Sequence, residues 1–100
     1  MEKKEIIERI SKLRTRANLS ARALSLNIGM NKSYINRMET KQDFLPSMEA
    51  FLEIIESCGS TPAEFFYYDI NQYSKDKEII ELLAKASDEK KTAIISLLKN

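Results

Sequence analysis

Apolar residues return at three- and four-residue intervals along nearly the whole chain, from Ile6 to Leu98, and no stretch alternates apolar and polar positions as a half-buried strand does. Only two glycines and two prolines interrupt that spacing, so the chain reads as all-α. With 100 residues it can close one core but not two independent ones. A hydrophobic share of 43% beside 31% charged residues is the composition of a chain that folds rather than one that stays disordered.

The spacing and the capping residues divide the chain into segments. Lys3 to Ala17 places Ile6, Ile10, Leu13 and Ala17 on one helical stripe with Ile7 beside it, and Asn18 suits a left-handed C-terminal cap. Ser20 is an N-cap for a short second helix, Ala21 to Asn27, which offers Leu24 and then Ile28 to the core before Gly29 ends it. Asn31 is an N-cap for a third helix from Lys32 to about Thr40, with Ile35 and Met38 inward and Lys32, Ser33, Asn36 and Arg37 outward. After a loop from Lys41 to Pro46, Ser47 caps a fourth helix whose stripe is Met48, Phe51, Leu52, Ile54, Ile55 and Cys58. Gly59 stops it, and Thr61 with Pro62 starts a fifth, in which Phe65 and Phe66 close the core. The polar run Asp69 to Lys75 reads as a linker. Lys77 to Lys99 is again amphipathic, with Ser87 and Asp88 breaking it into two helices.

Charge is unevenly placed although the total is only +1. Ten basic residues face five acidic ones from Met1 to Pro46, whereas Ser47 to Ser74 holds five acidic residues and no basic one. Such asymmetry suits a chain with one face made for a polyanion. Histidine is absent, Cys58 is the one cysteine, and no glycine-rich phosphate loop occurs, so the inventory for an enzyme or a metal site is missing and no cofactor is implied. Cys58, among apolar helical positions, reads as a buried structural thiol. No apolar run nears the roughly 20 residues that cross a bilayer, and the charged start, Met1 to Glu5, is unlike a signal peptide. The cytoplasm, or the nucleoid of a bacterium, is the expected location, without membrane contact.

A short capped helix, a glycine turn and an amphipathic helix make a helix-turn-helix by spacing alone. The residues sharpen this. Leu19-Ser20, Leu24, Ile28-Gly29, Ser33-Tyr34-Ile35 and Met38-Glu39 resemble the lambda-repressor-like (XRE/Cro-type) family, and Leu45-Pro46-Ser47-Met48-Glu49, Leu52, Ile55, Gly59 and Thr61 to Phe66 resemble its fourth and fifth helices. The resemblance runs from Ile6 to Phe66. It implies a five-helix DNA-binding domain over residues 1–70, with one or two added C-terminal helices over 75–100.

That resemblance implies double-stranded DNA as partner, with base contacts from Lys32, Ser33, Asn36 and Arg37 and backbone contacts from Ser20, Arg22, Tyr34 and Lys41, with Arg14 and Arg16 as weaker phosphate candidates. Tyr34 has a second reading as a half-buried packing residue. Glu39 resembles a structural partner for a first-helix arginine, Arg14 being the candidate, rather than a DNA contact. Two positions depart from the family: Ala21 stands where many members carry a phosphate-contacting glutamine, and Lys41 where a glycine commonly follows the third helix, before a loop one residue longer than usual. Two-fold operators call for a homodimer, and Ile79, Ile80, Leu83, Ile94, Leu97 and Leu98 are the expected dimerisation surface, unless those helices fold back on their own domain. The expected function is a small dimeric repressor, with no small-molecule ligand evident. The competing reading is a protein-interaction module, an antitoxin, antirepressor or adaptor on the same fold.

Overall fold

The computed structural model describes residues 1–100. Seven α-helices follow one another without a strand: α1 (Lys3–Arg16), α2 (Ala21–Asn27), α3 (Tyr34–Lys41), α4 (Met48–Ser57), α5 (Pro62–Phe65), α6 (Tyr73–Ala84) and α7 (Asp88–Lys99), with one 3-10 turn, Ile70–Gln72, before α6. They form two compact units, Met1–Phe66 and Tyr67–Asn100.

Local chemistry sets the helix ends in the first unit. The Ser20, Ser47 and Thr61 oxygens accept the N–H groups of Ala23, Ala50 and Glu64, satisfying one otherwise orphaned donor at the start of α2, α4 and α5. Asn18, Gly29 and Gly59 are left-handed at φ 58°, 72° and 69°, and let the chain leave α1, α2 and α4. The core is one cluster drawn from α1 (Ile7, Ile10, Leu13), α2 (Leu24), the α2–α3 turn (Ile28), α3 (Ile35, Met38), α4 (Ala50, Phe51, Ile54, Ile55), Cys58 and Phe65, all buried. Phe65 is the largest of its fully buried side chains and meets Phe51 edge-on, ring centroids 4.8 Å apart. Burial pushes the Cys58 thiol up in pKa, with Arg14 and Arg16 opposing more weakly, which fits a structural thiol.

Several expectations are corrected. Lys32 and Ser33 lie in a turn, and α3 begins at Tyr34, because the Asn31 side chain accepts the Ser33 N–H (2.9 Å) and hydroxyl (2.8 Å) and closes a turn ahead of the helix. The helix then runs one residue further than expected, through Lys41, whose charge suits its C-terminal end. The left-handed residue is consequently Gln42, at φ 54°. Since only glycine adopts that conformation without a Cβ penalty, Gln42→Gly is expected to stabilise the domain by about 0.5–1 kcal/mol, read as a higher melting temperature.

Met48 and Leu52 are exposed, at 70% and 47%. At 100° per residue Ala50 extends the buried arc of α4 on the side away from them, and Phe51, Ile54, Ile55 and Cys58 already fill the rest. Phe66 is likewise half exposed, because consecutive residues diverge by the same angle and a four-residue helix can bury only one of two adjacent rings. It lies against Phe65 and Phe51 at the edge of the core.

In the second unit the expected linker is structured. Asp69 accepts the Asn71 N–H to start the 3-10 turn, which leads directly into α6. The Tyr67 hydroxyl donates to the Asp76 carboxylate, which raises its pKa to about 12, and its ring meets Tyr73 edge-on. Ser87 caps α7 through the Lys90 N–H, as expected. No side chain of α6 or α7 is fully buried. No helix is long and apolar enough to cross a membrane.

Candidate nucleic-acid interface

The α2–α3 turn is fixed from within by one residue. Ser25 is fully buried; its carbonyl accepts the Met30 N–H at 2.9 Å, and its hydroxyl donates to the Ala21 carbonyl (2.8 Å) and accepts the Ile35 N–H (3.0 Å). The Asn31 carbonyl, the usual helical acceptor for Ile35, instead takes the Tyr34 N–H at 2.9 Å. Sequence reasoning missed Ser25. The available signal was its position beside Leu24 and three residues before Ile28, on the face that must be buried, where a hydroxyl persists only if hydrogen-bonded.

Beyond the turn, Ile35 and Met38 face the core with no exposure, which leaves Asn36 and Arg37 on the outer arc of α3. Lys32, in the turn that precedes α3, is also exposed. These three of the four expected base-contacting residues are thus open to solvent. The fourth, Ser33, is partly covered and its hydroxyl is directed at Asn31. Of the expected backbone contacts, Ser20, Arg22 and Lys41 are exposed, Ser20 with its oxygen engaged as the α2 cap. Tyr34 is half buried against Phe44, ring centroids 5.8 Å apart, and burial raises its pKa, so the hydroxyl stays a neutral donor.

Glu39 is the one carboxylate on α3, and it is neutralised in place. Arg14 donates Nε to Oε2 at 3.0 Å and Nη2 to Oε1 at 2.7 Å, Ser11 donates to Oε1 at 3.1 Å, and the remaining Arg14 nitrogen, Nη1, reaches the Leu19 carbonyl at 2.9 Å. The carboxylate raises the Arg14 pKa against the effect of burial. Arg14 is therefore committed to holding α1, the α1–α2 turn and α3 together. Arg16 pairs with Glu64 at 2.8 Å. With Glu39 paired, α3 and the turn before it carry no unpaired carboxylate.

A family model described as helix-turn-helix matches residues 10–65, more than half of the chain. The chain belongs to the lambda-repressor-like (XRE-type) helix-turn-helix family. That family consists of DNA-binding transcription regulators, and α2, the Ser25-braced turn and α3 are its defining motif here. Comparison with curated proteins and with solved structures gave no match. Of the expected dimerisation residues of this helix-turn-helix protein, Ile79, Ile80, Leu97 and Leu98 are 50–78% exposed, whereas Leu83 and Ile94 are partly covered.

Proposed function

We propose that this helix-turn-helix protein is a sequence-specific repressor that binds double-stranded DNA as a homodimer, with α3 in the major groove. The observation that carries the reading is the outer face of α3 and its preceding turn: Lys32, Asn36 and Arg37 are exposed while the helix's one carboxylate is consumed by Arg14. A major groove about 12 Å wide admits such a helix. Arg37 and Lys32 match the acceptors of guanine, Asn36 matches adenine or a phosphate, and Ser33 can reach either kind of acceptor only by leaving Asn31. Ser20 with the start of α2, Arg22, Tyr34 and Lys41 would fix the register on the phosphates.

A single small domain makes a limited interface, and two-fold operators bring two together. The second unit supplies the means. Two helices without one fully buried side chain, bearing Ile79, Ile80, Leu97 and Leu98 in the open, gain most by covering one another across a dimer. Such a protein acts where the DNA is, in the cytoplasm, and on the nucleoid if the cell is bacterial.

The test is selection of bound duplexes from a random pool, with Arg37→Ala in parallel. A two-fold motif with half-sites about 34 Å apart is expected. The substitution should weaken discrimination at one position of each half-site by about 1–3 kcal/mol. Binding should also fall steeply with salt as counterions are released. A motif without two-fold symmetry would remove the dimer, and no enrichment even at low salt would replace DNA by a protein partner.

A further inference from the structure

We infer that Ser25 is a positioning residue for DNA reading: through its carbonyl and hydroxyl it pre-sets the direction in which α3 leaves the turn, and with it the placement of Lys32, Asn36 and Arg37. The inference rests on the proposal that α3 reads base edges. Its basis is geometric. Residues 26–34 separate Ser25 from Ile35, yet this one residue holds the interval at two points, its backbone carbonyl accepting the Met30 N–H midway and its hydroxyl accepting the Ile35 N–H at the far end. The hydroxyl's own proton is held by the Ala21 carbonyl, so its lone pairs are aimed at Ile35 rather than rotating freely.

Asn31 closes the other side of the same turn on Ser33 and Tyr34. The Tyr34 and Ile35 N–H groups, the first two of α3, are therefore bonded within the protein, and the helix is oriented before DNA arrives. An interface assembled beforehand loses less ordering entropy on binding. Removing the hydroxyl leaves the buried Ile35 N–H without this acceptor, and the first turn of α3 then gains freedom to tilt. Phosphate contacts tolerate such tilting because they carry no sequence information; bidentate base contacts do not.

The test compares wild type, Ser25→Ala and Ser25→Cys, the first leaving no acceptor and the last a somewhat larger thiol that accepts only weakly. Each is assayed by far-UV circular dichroism, by amide exchange at Ile35, Leu13 and Ile54, and by affinity for the selected duplex against random duplex across salt. Both variants are expected to stay folded, to exchange the Ile35 amide about tenfold faster with less change at Leu13 and Ile54, and to keep the salt slope on random duplex. Their preference for the selected duplex should drop about tenfold. If that preference is unchanged while Ile35 exchanges faster, or if cysteine retains it, the positioning role is overturned and the hydroxyl is structural only. If wild type itself selects no motif, the DNA reading falls first, and this role with it.

Discussion

Phe65→Ala is expected to cost the first unit about 3–5 kcal/mol, most of what a domain of this size has in hand. Three losses coincide at that ring. It is completely buried, it meets Phe51 and Phe66 edge-on at centroid distances of 4.8 and 5.0 Å, and it anchors α5. A four-residue helix has almost no stability of its own. Its place depends on Phe65 inside, the Thr61 cap, and Arg9, which donates to the Phe65 carbonyl. Urea unfolding should show the midpoint falling with the slope nearly unchanged. Phe66→Ala, at a half-exposed ring, should cost about 1 kcal/mol or less, since less area returns to water. An equal loss from the two substitutions would mean that Phe65 is not the anchor.

The contrast between these neighbours also shows what the sequence could and could not disclose. Period and caps were enough to place α1, α2, α4 and α5, because Ser20, Ser47 and Thr61 act locally and left-handed Gly29 and Gly59 end helices wherever they occur. The Arg14–Glu39 pair spans 25 residues and was legible only through family resemblance. What stayed hidden depended on competition between neighbours for the same space. Phe65 and Phe66 are equivalent as letters, and only the direction of a four-residue helix separates them. Met48 and Leu52 belong to an apolar stripe until Ala50 shifts the buried arc away from them. Asn31 was legible as a cap, yet its side chain closes a turn on Ser33 and delays α3 to Tyr34. Ser25 was missed for a different reason: its place on the buried face called for a hydrogen bond, but its partner, the Ile35 backbone, is anonymous in sequence.

Glu39→Ala is expected to destabilise the first unit by about 2–3 kcal/mol, between the small worth of an exposed ion pair and the larger loss from breaking a buried one. The side chains of Arg14 and Glu39 are only 19% and 14% exposed, so solvent replaces the lost carboxylate poorly. Ser11 loses its acceptor as well, and Arg14 is left with the Leu19 carbonyl alone. Arg14→Leu should cost a similar amount, and the double substitution less than the sum of the two, because no charge is then left stranded. For DNA the consequence runs the other way. Deleting a negative charge beside the reading face should strengthen binding to random duplex at temperatures where the variant is folded. Chemical denaturation and low-salt titration on the same preparations check both halves. Should Glu39→Ala instead keep its stability and change which duplexes are selected, the carboxylate would have to be reassigned as a reader of cytosine, whose amino group it is suited to accept from.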